Sequence, residues 1–505
     1  MVSDPATTPA PPAPQQPLDM LKSRGYLVLL LFGAIVGVPV AVIAYYFLKL
    51  VSQGQKYFFT TLPGELGFHG APAWWPVPVV SVGGVLVGLT LHFLPGEGGH
   101  HPAEGFKAGG LASARDLPAI VCAALATLIF GLVLGPEAPL IAIGGGVAAL
   151  IVRLIRKDAP KQAVLVIGAA GSFAAISTLL INPLVGAFLL LEAVGVGGGM
   201  VSVMLAPGLL ASGIGALIFV GLDSLTGFGT FSLAIPHLPM AGTPTGGEFL
   251  WAIGVGLAAA VAGTGIRLIG LQLQPIAGRR PLLLLPMLGL AVGGLAAIFE
   301  AVTGKGAEQV LYSGQNQLPE LIQHAATWSV GALLLVLLLK GVAYGLSLSG
   351  FRGGPTFPGM FLGAAGGIAL SHLPGLPLID GAGIGIGAML VVMLGGMPLT
   401  AVLLTIVFLQ SDAFNLISIV IVAVVVSWVT SARLTRWLPL PPSAEDAPAP
   451  GTAAEPGTTG EPGTTGEPSP TGEPSPTGES GTAAVPAPRP DDQSARAPKG
   501  AGPGP

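Results

Sequence analysis

A single cysteine in 505 residues, Cys122, excludes a disulfide framework. Its place in the apolar stretch VCAALATLIFGLVL predicts a small buried hydrophobe rather than a reactive thiol. Charge is nearly as scarce: 9% of residues are Asp, Glu, Lys or Arg, against roughly 25% in a soluble domain. Half the chain is hydrophobic (51%) and the mean hydropathy is +0.76, so a soluble enzyme or a nucleic-acid partner is excluded and a polytopic membrane protein is expected. No HExxH, no GxSxG and no pair of acids inside the apolar runs is present, so neither catalysis nor a cofactor is indicated. His92, His100 and His101 with Glu97 lack the i, i+4 spacing of a zinc pair and read as a loop.

Long apolar runs fill the space that charge leaves. Residues 26–51, 78–95, 205–221, 249–273, 281–299 and 328–347 are long enough to span a bilayer. Others are cut by Gly or Pro and read as segments that stop partway: 117–134, 137–152, 162–178, 183–196, 356–371, 380–394, 398–410 and 415–431. The run 26–51 is too long for a cleavable signal, and residues 1–20 read as a disordered Pro/Ala-rich segment. A first transmembrane half, 21–222, is separated from a second, 249–440, by the polar connection 223–248. Residues 441–505, with repeats such as TGEPGTTGEP, read as a disordered tail. Lys22, Arg24, Arg153, Arg156, Lys157 and Lys161 mark loops that belong in the cytoplasm, which places both termini there in a multi-pass cell-membrane protein. With 77 glycines, many in pairs and triplets, helices are expected to pack at close range.

One phrase occurs twice: Gly135-Pro136-Glu137-Ala138-Pro139 and Gly354-Pro355-Thr356-Phe357-Pro358. Each precedes a glycine-rich apolar stretch and is followed by a second matched pair, Asn182-Pro183-Leu184 and Met397-Pro398-Leu399. Matched breaks in two apolar halves point to an ion site near mid-membrane. Proline at a helix start loses nothing by lacking an N–H, and the free N–H groups of residues 137–138 and 356–357 then face outward. Two helix starts, each carrying about half a positive charge, form an anion site when they meet. Glu137 is an anion placed in that site, so its side chain can occupy it and leave on protonation, which makes it a candidate gate.

These motifs resemble the CLC family of chloride channels and chloride/proton exchangers, across roughly residues 20–440. The family's Gly-Arg/Lys-Glu-Gly-Pro motif is similar to Gly135–Pro139, its Gly-x-Phe-x-Pro segment to Gly354–Pro358, and its Asn-x-Pro-Leu-x-Gly helix to INPLVGAFLLLEA at 181–193. Its Gly-Ser-Gly-Ile-Pro motif falls at Gly98-Gly99-His100-His101-Pro102, followed by Glu104-Gly105. The resemblance implies an all-α, CLC-like two-half inverted repeat with broken, re-entrant helices, working as a homodimer in lipid. It implies anion binding at Gly99, His100, Pro136, Ala138, Pro355, Thr356 and Phe357, with Glu137 as the gate.

Four departures bear on mechanism. Gly99 stands where a serine hydroxyl is expected, Pro355 where an N–H is, SWVTSARLTRWLPL lacks the expected tyrosine, and Ala193 replaces the inner proton-handling glutamate. Glu192, one position away, is the remaining candidate for proton transfer. The implied function is therefore chloride-selective transport through a glutamate-gated pore, leaning to passive, channel-like conduction. The alternatives are a chloride/proton antiporter and, more remotely, another broken-helix transporter. His237 and His324 are expected to be exposed, and Asp412 to cap a helix boundary.

Overall fold

The computed structural model describes residues 22–438 except 107–110, 181, 195–198, 228–241 and 410–412. The terminal segments 1–20 and 441–505, His237 and Asp412 lie outside the described residues. What is described is helical: α1 Arg24–Lys56, α2 Pro76–Phe93, α3 Leu117–Ile129, α4 Glu137–Ile155, α5 Lys161–Leu180, α6 Pro183–Val194, α7 Gly199–Thr226, α8 Gly246–Arg279, α9 Pro281–Thr303, α10 Gln317–Gln323, α11 Val330–Leu348, α12 Thr356–Leu370, α13 Leu378–Met393, α14 Pro398–Leu409 and α15 Ala413–Trp437.

Local chemistry explains where these helices begin. Ser23 accepts from the Tyr26 N–H at 3.1 Å and Ser329 from the Ala332 N–H at 3.2 Å, capping α1 and α11. Thr245 and Glu248 form a capping box at α8. Proline opens α2, α3 and α9, where its missing N–H costs nothing.

Among the described residues nine helices are long and apolar enough to cross a membrane, and α3, α6, α12, α13 and α14 are too short. This corrects three expectations. The stretches 137–152, 162–178 and 415–431, read as interrupted, belong to helices of 19, 20 and 25 residues. Helix continues past the point where hydropathy falls, because Ser and Thr are tolerated in α5 and basic residues suit the C-terminal turns of α4 and α15. The polar connection shrinks too, since α7 runs to Thr226 and α8 starts at Gly246. Cys122 is exposed on α3, not buried, because a membrane helix shows apolar side chains outward as well as inward. His324 is exposed, as expected.

Close packing relies on glycine at matched places. A Cβ on Gly144 of α4 would run into the Gly171 carbonyl of α5, and one on Gly367 of α12 into the Gly381 carbonyl of α13. The starts of α1, α5 and α7 share one end of the molecule: Tyr26, Val166, Val203 and Met204 cluster there, and the Tyr26 hydroxyl donates to the Val203 carbonyl at 3.2 Å. Lys22, Arg24 and Lys161 gather at this end, so it is the basic one.

Candidate functional site

Two loops lead into the duplicated phrase, 130–136 ahead of α4 and 349–355 ahead of α12, and nearly every residue in both is buried. Buried loops must find partners for their backbone groups. Here they find each other. The Gly135 N–H donates to the Gly354 carbonyl at 2.8 Å and the Gly354 N–H to the Gly135 carbonyl at 2.6 Å. The Val133 N–H donates to Ser347 Oγ at 3.1 Å, and the Arg352 N–H to Thr127 Oγ1 at 3.2 Å. Pro136 and Pro355 are the N-cap residues of α4 and α12, so the two helix starts meet just beyond the paired glycines.

Glu137 opens α4 but serves the other helix. Its carboxyl is fully buried, and Oε1 accepts from the Phe357 N–H in the first turn of α12 at 3.1 Å. Thr356, also fully buried, lies beside it. A Cβ on either Gly135 or Gly354 would overlap the carboxyl, so both glycines are required for it to sit here. The geometry is that of an anion at a helix N-terminus, with a side chain as the anion.

Two cavities flank this point. One, of about 480 Å³, is lined by Leu134 and Pro136 together with Gln55, Lys56, Trp75, Pro76 and Tyr312. The other, of about 470 Å³, is lined by Ala138, Pro139, Gly353 and Pro355 together with Gly98, Gly99, His100 and Arg352. Pro76 begins α2 and Gly98 follows its end, so the cavities lie at opposite ends of an 18-residue helix, about 27 Å long. The first adjoins the C-terminal end of α1, and the second lies along the body of α4, toward the basic end. With the basic end taken as cytoplasmic, as the positive-inside rule expects, they are the outer and the inner cavity.

The structure therefore brings most of the expected residues together. Glu137, Thr356 and Phe357 form the meeting point, Pro136 faces the outer cavity, and Ala138, Pro355, Gly99 and His100 face the inner one. Gly99 has φ +106°, a backbone shape that disfavours serine, which accounts for the missing hydroxyl. Glu192 stands apart and lines neither cavity. Its carboxylate accepts from the Leu399 N–H at 3.0 Å, the Thr400 N–H at 2.6 Å and Thr400 Oγ1 at 2.6 Å, capping α14.

Three residues escaped the sequence reading. Tyr344 of α11 donates to the Pro355 carbonyl at 2.7 Å, so a tyrosine stands at the site although α15 contributes none. Lys340, one turn earlier and fully buried, reaches the carbonyls of Gln309, Val310, Leu311 and Tyr312 at 2.9–3.3 Å and lies 4.6 Å from the centre of the Phe361 ring. Arg352 is buried on the inner cavity wall. The signal for the last two was a lone basic residue inside an apolar run, VGALLLVLLLK and SGFRGGPTFP.

Known proteins are similar to this chain in sequence and in fold. YfeO of Escherichia coli (strain SMS-3-5 / SECEC), whose name places it provisionally among ion-transport proteins, is 26% identical over 362 residues, covering 70% of this chain and 82% of its own. YfeO of Shigella boydii serotype 4 (strain Sb227) is 27% identical over the same length. In fold the chain is similar to a slow cyanobacterial Cl−/H+ antiporter, with TM-score 0.63, 20% identity, and 81% and 97% of the two chains covered. It is similar also to a CLC-type fluoride/proton antiporter, with TM-score 0.60, 19% identity and 81% and 96% coverage. Residues 83–432 match the voltage gated chloride channel family, and with the all-α polytopic CLC fold around the paired phrase, the chain belongs to that family of anion channels and transporters.

Proposed function

We propose that the protein carries chloride passively across the cell membrane, through a pore in which the Glu137 carboxylate competes with the anion for the N-terminus of α12. The observation that carries this reading is the hydrogen bond from the Phe357 N–H to Glu137 Oε1, made between two glycines and between two cavities. A carboxylate held by the donor an anion would use is a side chain occupying the anion's place. Uncoupled conduction is favoured because Ala193 cannot titrate and Glu192 spends both carboxylate oxygens on capping α14. Glu192 is thus a structural cap, and no other inner proton carrier is assigned. We further propose that the chain acts as a homodimer, one pore per subunit, with both termini on the cytoplasmic side by its basic end.

Coupled exchange is the second reading, supported by the fold's likeness to a Cl−/H+ and a fluoride/proton antiporter. The two part cleanly in reconstituted vesicles. A chloride gradient is imposed, and chloride efflux and internal pH are followed together. Chloride efflux with no proton movement beyond leak is expected. Uphill proton pumping at a fixed ratio to chloride would overturn the passive reading.

A further inference from the structure

The polar side chains of α11 are Lys340, Tyr344 and Ser347, on a helix otherwise built from Gly, Ala, Val and Leu. Their spacing, i, i+4 and i+7, puts them on one stripe, and all three are fully buried. Each grips a different piece of the candidate gate. Lys340 holds residues 309–312 by their carbonyls, and the Tyr312 N–H in turn donates to the Gly131 carbonyl at 3.1 Å, in the loop ahead of α4. Ser347 accepts from the Val133 N–H of that same loop. Tyr344 donates to the carbonyl of Pro355, the N-cap of α12, at 2.7 Å.

The matched half lacks this stripe. α3 precedes the first phrase as α11 precedes the second, and the positions equally far ahead of Gly135 are Val121, Leu125 and Leu128. There the N-cap carbonyl, Pro136 O, accepts from the Leu140 N–H of its own helix at 3.0 Å. At α12 the N-cap carbonyl accepts from a phenol on another helix. The difference falls where the roles differ, since α4 supplies the carboxylate and α12 the donor.

A trans peptide is planar, with its C=O and N–H pointing opposite ways. Pinning the Pro355 carbonyl therefore aims the Thr356 N–H away from Tyr344 and fixes the entry to the turn whose Phe357 N–H reaches Glu137 Oε1. The Thr356 N–H acts on the same carboxyl. A phenol proton on the carbonyl also polarises the amide, so its N–H becomes a stronger donor. Tyr344 lines neither cavity, so it works through the peptide and not by touching the ion. The other charge beside it, Arg267 of α8, directs its guanidinium to the Ala103 and Val392 carbonyls at 3.4 and 3.3 Å.

We propose that α11 is the positioning face of the gate and that Tyr344 is a positioning residue: through the Pro355 peptide it sets how strongly the start of α12 holds an anion, whether Glu137 or chloride. The proposal deepens the anion-transport reading and rests on it.

The test titrates chloride calorimetrically into the full chain carrying E137Q, where no carboxylate competes for the donors. Adding Y344F should weaken chloride binding about two- to tenfold, the worth of about 10–30% on two charge-assisted hydrogen bonds. Placing 3-fluorotyrosine at position 344 keeps the shape and makes a stronger donor, so it should tighten binding. Opposite shifts support the proposal. Y344F that lowers thermal stability but leaves chloride binding unchanged, or two substitutions that shift it alike, would show a buried phenol that merely satisfies its own hydrogen bond. Should Y344F fail to fold, the fluorotyrosine arm decides alone, and an absence of tightening overturns the proposal. If E137Q by itself binds no chloride, the reading of Glu137 as competitor fails and takes this proposal with it. Chloride binding to E137Q that is indifferent to position 344 sinks the role of Tyr344 alone.

Discussion

Replacing Glu137 by glutamine removes one charge and little else. The amide keeps an oxygen where Oε1 accepts from the Phe357 N–H. Oε2 has no hydrogen-bond partner among the described residues, so the amide nitrogen can take its position without displacing a donor. The cost is therefore electrostatic. A hydrogen bond to an ionised acceptor is worth about 1.5–3 kcal/mol against about 0.5–1.5 for a neutral one, and the α12 N-terminus adds about 0.3–1 kcal/mol for an anion. The side chain's hold on the site should weaken by about 1–2 kcal/mol, a factor of about 5–30 in its competition with chloride. Chloride titrated calorimetrically into E137Q should thus bind about 5–30-fold more tightly than to the unaltered protein. In vesicles the unaltered protein should conduct faster as pH falls from about 7.5 to about 4.5, because protonation neutralises the competing carboxylate. E137Q should conduct at a rate flat across that range. A folded E137Q that passes no chloride, or one that keeps the original pH dependence, would refute the assignment of Glu137 as gate.

Three further substitutions probe the scaffold. E192A uncaps α14 and should cost about 1–2 kcal/mol of stability, read by thermal unfolding in detergent, while the pH dependence of chloride flux stays as it was. K340M strips four carbonyls of their buried partner and should destabilise by about 3 kcal/mol, with proteolysis appearing first near 309–312; unchanged cleavage would show that this segment holds itself. G367A drives a methyl into the Gly381 carbonyl and should cost at least about 1–3 kcal/mol, whereas G254A, with open space at its Cβ position, should be near neutral.

Which features could be read from residue order follows from the range of the physics behind them. The phrase Gly135–Pro139 and its partner were legible because proline and glycine act on their own backbone, wherever the chain lies. Helix ends were less so: α4, α5 and α15 outlast their apolar cores, since a helix tolerates a polar residue that a hydropathy run does not. Cys122 was placed inside by its apolar neighbours, yet lipid accepts the same neighbours on the outside. Arg352, Lys340 and Tyr344 each looked like an isolated polar residue in an apolar run, because Glu97, Gln309 and Pro355, whose carbonyls accept from them, lie 255, 31 and 11 positions away.

Residue order by itself determined that this chain is a membrane protein, that it breaks its helices in matched places, and that one break carries a carboxylate. These are local properties of composition and backbone chemistry. Only the tertiary structure decided that the carboxylate of α4 caps α12, that Glu192 is spent on α14, and that an arginine stands in the inner wall. Such pairings depend on which distant segments are brought within hydrogen-bonding distance, about 3 Å, and no property of a single stretch of chain specifies that.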